Sequence, residues 1–104
     1  MPSASRGEVW LCDLGMVAKI RPCLVLSFAT DPNDRALVAL VPHTTSVRGT
    51  QFEVAIPKPF LKPGAFDTQG LMMVAPPKLI RKLGDLQASE LLLIEQSVRN
   101  WLGL

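Results

Sequence analysis

The sequence predicts a mainly β fold, in which a small, mostly antiparallel, barrel-like sheet carries one α-helix at its C-terminal end. The first observation is a series of short apolar runs separated by proline, glycine, aspartate and asparagine, which is typical of strands joined by turns. The second is a change of pattern from Gln87 onward, where apolar residues recur with the spacing of one helical face. Five or six short strands followed by one helix suit a sheet with the helix packed on it.

The first three strands are predicted at residues 8–14, 20–28 and 35–42. The segment 30–34 between the second and third strands is dense in turn formers, so we expect the chain to reverse there and the two strands to be neighbours. In an antiparallel pair of this kind, the start of the second strand lies beside the end of the third, at one rim of the sheet.

The later strands are shorter, and we predict them at residues 51–56, 71–75 and 79–83. Residues 57–64 contain three prolines, which remove three backbone donors, so we expect no regular structure there.

The predicted helix begins near Gln87, where Glu90 three residues later suits a capping box and Ser89 is a competing N-cap. Gly103 ends it, because glycine readily adopts the left-handed conformation of a helix C-cap. The apolar face consists of Leu91, Ile94, Val98, Trp101 and Leu102.

Composition indicates one soluble domain spanning residues 1–104, which we expect in the cytoplasm. A hydrophobic content of 48% excludes a disordered chain, and a net charge of +2 permits a nucleic-acid partner without demanding one. The first seven residues lack the apolar core of a signal peptide, and no apolar run reaches the roughly 18 residues of a membrane span.

Cys12 and Cys23 both fall inside apolar strands, so we interpret them as small buried hydrophobic residues in a reducing compartment. A single disulfide between them is the alternative. No pair of cysteines has the spacing of a zinc site, and we therefore expect neither a metal nor another cofactor.

Arg21 stands at the mouth of the second strand, directly before Pro22 and the apolar run 23–28. The proline favours an extended conformation for the residue before it, so a permanent cation with five donors is held in place there. Two interpretations of this cation are possible. Arg21 forms an ion pair with a carboxylate such as Glu8 or Asp13, or Arg21 binds an anion from outside the chain. We interpret Arg21 as a phosphate-binding residue.

A polar segment follows the third strand, with three successive hydroxyls at Thr44, Thr45 and Ser46 and then a cation at Arg48. Hydroxyls and cations are good donors to phosphate oxygens, whereas a plain polar turn bonded to its own backbone is the alternative. The antiparallel arrangement brings Thr44 to the same rim of the sheet as Arg21.

Two further features are polar and have ordinary structural explanations. His43 is the only histidine, and next to a proline we interpret it as a packed or solvated residue rather than a general base. Lys78, Arg81 and Lys82 form a small basic cluster, which is a solvated face or, alternatively, one wall of a nucleic-acid groove.

Four stretches, in this order and spacing, resemble the MazF/PemK family of toxin endoribonucleases. They are RGEVWL at 6–11 with Asp13-Leu14, RPCLVLS at 21–27, VPHTTS at 41–46 and FEV at 52–54. The resemblance covers nearly the whole chain, including the helix. It implies an SH3-like barrel (the toxin fold shared by MazF, PemK and CcdB), a homodimer and a cognate antitoxin as partner in a type II toxin–antitoxin system.

The resemblance also implies a reaction and its residues. Such toxins cut single-stranded RNA without a metal, by attack of the ribose 2′-hydroxyl on its own phosphodiester. The family's catalytic arginine falls on Arg21 and its threonine on Thr44, with Thr45 as the alternative register. The candidates for RNA binding are Lys19, His43, Thr45, Ser46, Arg48 and Gln69.

Two departures from the family pattern leave a second hypothesis open. The loop before Arg21 comprises only residues 15–19, and Met73, Ala75 and Pro76 stand where some members have polar residues that act on RNA. The alternative is a non-catalytic RNA-binding or gyrase-targeting toxin on the same fold.

Overall fold

The computed structural model describes residues 3–15 and 19–104, and within them seven strands precede one α-helix. The predicted first loop, residues 15–19, thus lies partly outside the described residues. Two short 3-10 helices, Thr68–Gly70 and Pro76–Lys78, interrupt the later part of the chain. The other elements are β1 (Glu8–Asp13), β2 (Ile20–Val25), β3 (Val38–Thr44), β4 (Glu53–Val54), β5 (Ala65–Asp67), β6 (Met72–Val74), β7 (Leu79–Asp85) and α1 (Ala88–Leu102).

The strands form an antiparallel sheet in the order β4-β5-β3-β2-β1-β7, and β6 pairs with β3 beside this path. The mainly β fold with a C-terminal helix is confirmed, and so is the pairing of the second and third strands. The sheet is not closed, because β4 and β7 stand at its two ends in the described part of the chain.

Several strands are shifted or shorter than predicted. The second ends at Val25 rather than at residue 28, since the Ser27 hydroxyl there accepts the Ala39 amide at 2.9 Å. The third strand lies at Val38–Thr44 because its last residue pairs with Ala65 of β5.

The last four strands also differ from the predicted ranges. β4 has two residues, β6 has three, and β7 extends to Asp85 because it pairs along β1. β5 was not predicted, since three residues after a proline-rich segment give too short a pattern.

Apolar side chains pack into two clusters formed by alternate residues of the strands. The helix covers the larger cluster, which consists of Val9, Leu24, Val41, Ile56, Phe66, Leu86, Ile94 and Val98. The smaller cluster consists of Trp10, Cys12, Cys23, Val25, Leu40 and Leu79. Both cysteines are free and fully buried, as predicted, and contact with the Cys12 thiol together with burial raises the pKa of Cys23.

The helix begins and ends where the sequence predicts. Gln87 is the N-cap of a capping box with Glu90, and Gly103 is the C-cap with a φ of 72°. Neither this helix nor any other in the described residues is long and apolar enough to cross a membrane.

A buried pair of hydroxyls joins the helix to the sheet. The Thr68 hydroxyl donates to the Phe52 carbonyl at 2.7 Å, so its single proton is used there. The Ser97 hydroxyl lies 2.8 Å from the Thr68 oxygen and therefore donates to it. This chain of bonds satisfies two hydroxyls that are almost completely excluded from water.

We expect Thr68→Val to lower the free energy of unfolding by about 1–3 kcal/mol, because it leaves the buried Ser97 hydroxyl without its acceptor. Ser97→Ala should cost less, since Thr68 keeps its bond to Phe52. Urea unfolding of both single variants and of the double variant tests the pair. Additive losses in the double variant would contradict the coupling.

His43 is the third buried polar side chain, with 4% of its surface exposed. Its imidazole meets the Phe66 ring edge to face, with ring centres 5.1 Å apart. Burial holds the pKa of His43 below its ordinary value, because desolvation disfavours the imidazolium.

Below a pH of roughly 6.5 the unfolded state therefore takes up a proton that the folded state does not, and stability falls as pH is lowered. We expect His43→Gln to remove this loss between about pH 6.5 and 5. The measurement is the unfolding free energy of both proteins across that range. Parallel curves for the two proteins would contradict a lowered His43 pKa. The pKa values of Glu8, Glu53 and Glu90 are also lowered, but these carboxylates affect stability only at lower pH, where they become protonated.

Candidate active site

The register of β2 on β3 brings Arg21 and Thr44 together. Cys23 is opposite Pro42 and Leu24 is opposite Val41, so the same register continued to the strand ends places Arg21 opposite Thr44. Both residues are partly exposed, and they line the same two cavities. The rim predicted from the sequence is therefore formed.

The first cavity, termed the basic cavity, has a volume of about 470 Å³. It is lined by Leu11, Lys19, Ile20, Arg21, Pro22, His43, Thr44, Thr45, Ser46, Phe60, Lys62, Arg81 and Leu83. The second, termed the polar cavity, has a volume of about 410 Å³ and is lined by Arg21, Thr44, Ser46, Arg48, Glu53, Asp67 and Gln69. Each of the eight residues singled out in the sequence lines at least one of these cavities.

The two cavities meet at Arg21, Thr44 and Ser46. The Thr44 side-chain oxygen accepts the Ser46 amide at 3.0 Å. Because a hydroxyl can both accept and donate, this bond orients the oxygen and leaves the Thr44 proton available for a bound anion.

Glu53 holds the loop that carries Ser46 and Arg48. Its carboxylate accepts the Arg48 amide at 3.0 and 3.1 Å and the Thr50 amide at 2.8 Å. These backbone hydrogen bonds, above all that from Arg48, hold the pKa of Glu53 below its ordinary value, so it is ionised at neutral pH. The loop geometry that places Arg48 at the polar cavity thus depends on one carboxylate.

Gly64 allows the chain before β5 to lie against the end of β3. A Cβ atom there would collide with the Thr44 carbonyl oxygen and come within 2.8 Å of the His43 ring. Ala65 then pairs with Thr44, and Phe66 pairs with His43. The backbone of Thr44 is thereby held by its pairing with β5.

Gln69 reaches the polar cavity from the first 3-10 helix. Asp67 is the N-cap of that helix and accepts the Gln69 amide at 3.1 Å. Both side chains line the polar cavity.

The acidic residues of β1 form an ion pair and hydrogen bonds within the first and last strands and the loop after β1. Glu8 binds Lys82 at 3.1 Å and accepts the Trp10 indole at 3.0 Å, and Asp13 accepts the Gly15 amide at 3.0 Å.

The predicted basic cluster is divided by the structure. Arg81 lines the basic cavity, Lys82 binds Glu8 and Asp85, and Lys78 lies at a separate shallow cavity with Lys19. The three residues are close in sequence, so the sequence predicts that they act as one group. They separate because β7 pairs with β1, and that pairing cannot be recognised from the residues near Lys78 to Lys82. Within residues 3–15 and 19–104, no group of acidic, cysteine and histidine side chains is arranged to hold a metal ion.

The late-strand departures lie elsewhere. Met73 is in β6, opposite Ala39, and Pro76 lines an apolar cavity with Phe28. Neither these residues nor Ala75 is among those that line the basic and polar cavities.

The fold is similar to those of several solved toxins and endoribonucleases. An endoribonuclease from a mycobacterial species is 25% identical, with a TM-score of 0.81 over 100% of this chain and 95% of that one. A mycobacterial endoribonuclease in complex with its cognate antitoxin is also 25% identical, with a TM-score of 0.83 over 98% of this chain and 97% of that one. MazF from Deinococcus radiodurans, at 23% identity, shares the fold with a TM-score of 0.82 over the full length of both chains.

No protein among the curated sequences matches the chain. Residues 5–102 match the family described as "PemK-like, MazF-like toxin of type II toxin-antitoxin system". This match spans nearly the whole chain and includes every residue of the two cavities. The chain therefore belongs to the PemK-like, MazF-like toxins of type II toxin–antitoxin systems.

Proposed function

We propose that the chain is an endoribonuclease toxin that cuts single-stranded RNA at a linkage bound by Arg21 and Thr44. Residues 1–104 form a single domain in this proposal. The observation that carries this proposal is the meeting of these two side chains at the junction of two cavities. The family and the endoribonucleases of the same fold at 25% identity support it.

The reaction transfers a phosphoryl group within the RNA and needs no co-reactant besides solvent water, which carries the proton. The ribose 2′-hydroxyl attacks the adjacent phosphorus and releases its proton to water. The bond to the 5′-oxygen breaks and that oxygen takes up a proton from water, so a cyclic phosphate and a 5′-hydroxyl remain. Arg21 stabilises the additional negative charge on the phosphoryl oxygens, and the Thr44 hydroxyl donates to one of them. No metal takes part in this scheme.

The remaining predicted residues bind the RNA on either side of that linkage. Lys19, His43, Thr45 and Ser46 line the basic cavity, whereas Arg48 and Gln69 line the polar cavity. An RNA strand that crosses the rim at Arg21 and Thr44 therefore contacts the residues of both cavities.

The toxin acts in the cytoplasm as a homodimer, and its partner is a cognate antitoxin. A mycobacterial endoribonuclease of the same fold forms a complex with its own antitoxin. An acidic segment of the antitoxin would be attracted to the cations of the basic cavity.

We expect Arg21→Ala to reduce cleavage of single-stranded RNA by about 10²–10³-fold, because a preorganised donor to the developing charge is removed. Thr44→Val should reduce the cleavage of single-stranded RNA by a factor of the same order. The assay follows cleavage of a labelled oligoribonucleotide in EDTA. The matched control is Arg35→Ala, since Arg35 is an exposed arginine that lines neither cavity.

The outcome also decides between the hypotheses. Intact RNA after incubation with folded wild-type protein would overturn the nuclease assignment. Salt-sensitive RNA binding without cleavage would then identify a non-catalytic RNA binder. Inhibition of gyrase without RNA binding would identify a toxin that acts on a protein.

We expect Glu53→Ala to reduce kcat/KM by about 10- to 100-fold, because the loop that presents Arg48 and Ser46 loses its anchor. Glu53→Gln, which keeps one acceptor oxygen, should retain most of the activity. In an Arg48→Ala background, Glu53→Ala should have a smaller effect than in the wild type.

Glu90→Ala is the matched control, because Glu90 also caps a backbone amide, at 2.8 Å, but at the helix start. If Glu53→Ala and Glu90→Ala change activity equally, the effect of Glu53 on the site is refuted.

A further inference from the structure

The two cavities beside Arg21 differ in charge. Four cations line the basic cavity, at Lys19, Arg21, Lys62 and Arg81, and its lining includes no carboxylate in the part of the chain that the structure describes. The lining of the polar cavity, by contrast, includes two carboxylates as well as two arginines. An RNA phosphate next to the cleaved linkage is therefore attracted to the basic side and repelled by the carboxylates of the other.

The basic cavity also has an apolar floor built by strand register. Leu11 is opposite Pro22 on one side and opposite Arg81 on the other. Continued from Leu24 and Val41, the β2–β3 register adds His43 to this row. One row across four strands thus combines two apolar side chains with a cation and an imidazole, and all four residues line the cavity.

Phe60 supplies an aromatic wall. The ring is partly exposed and packs against the larger apolar cluster. Gly84 makes room for it, because a Cβ atom at that position would overlap the ring. The chain from Phe60 to Lys62 therefore brings an aromatic ring and a cation to the same cavity.

We propose that the basic cavity is a subsite for one nucleotide of the RNA, next to the linkage held by Arg21 and Thr44. Its base stacks on Phe60 over the floor of Leu11 and Pro22, and its phosphate binds Lys62 and Arg81. An aromatic ring beside a row of cations is the combination that binds single-stranded nucleic acid with little sequence preference, since every base has a face to stack. This inference rests on the proposed function, because it takes RNA as the ligand.

The test measures binding of oligoribonucleotides whose bases are removed one at a time. A 2′-deoxy sugar at the cleaved linkage prevents turnover, and fluorescence anisotropy gives Kd. For the wild type, loss of one base beside that linkage should weaken binding about tenfold. For Phe60→Ala, intact RNA should bind about tenfold more weakly, and the missing base should no longer matter.

Two further variants separate stacking from folding. Phe60→Leu keeps apolar packing on the core but removes the flat ring, so it should behave as Phe60→Ala while melting near the wild-type temperature. Phe28→Ala, which removes a phenyl ring that is 79% exposed and outside both cavities, should bind both RNAs as the wild type does. Lys62→Ala and Arg81→Ala should each reduce the salt dependence of binding.

The subsite is refuted if Phe60→Leu binds intact RNA as tightly as the wild type, or if it weakens intact and base-deleted RNA equally. Base-dependent binding without cleavage of the normal substrate would support the subsite and overturn the nuclease. If the wild-type protein binds no single-stranded RNA, both the subsite and the nuclease assignment are overturned. The same conclusion holds if the basic cavity binds an acidic peptide and no RNA.

Discussion

The site depends on the hydrogen-bonded register between β2 and β3. A strand register alternates side chains between the faces of a sheet, so a slip of one residue would send Arg21 and Thr44 to opposite faces. Three paired positions inside the core, from Cys23 to Val25 of β2, hold this register. Their side chains are completely or almost completely buried, so the same contacts that stabilise the sheet also fix the distance between the two polar residues at its rim.

The part of the site that the sequence predicts is the part built by neighbouring segments. A turn of aspartate, asparagine and proline joins β2 to β3, and the polar residues at Thr44 to Ser46 follow a buried strand directly. Local patterns contain this information. The pairings β1–β7 and β3–β5 join distant segments, and no local pattern in either partner specifies the other. Phe60 and Lys62 reach the basic cavity only through such contacts, and no pattern in the sequence indicated their role. Arg81 stood out in the sequence only as one member of a basic cluster with Lys78 and Lys82.

Glu53 illustrates a different limit of sequence reasoning. It lies in the short FEV stretch that supports the family resemblance, where only its position in a strand was interpreted. Its role follows from the direction of its carboxylate, which turns back to accept backbone amides of the preceding loop. This carboxylate orients the loop through amide hydrogen bonds, and its negative charge remains, so the polar cavity attracts a phosphate less than the basic cavity does.

The modest net charge of the chain conceals how its charges are distributed. Eleven cations and nine acidic residues give only +2, which by itself says little about a nucleic-acid partner. Away from the site, however, acidic residues are bound in local ion pairs, as between Arg6 and Glu95 and between Lys58 and Glu90. The basic cavity gathers four of the eleven cations on a surface whose described lining has no carboxylate. The field that an RNA strand meets is set by that local excess, since charges more than about 8 Å away are largely screened at physiological salt.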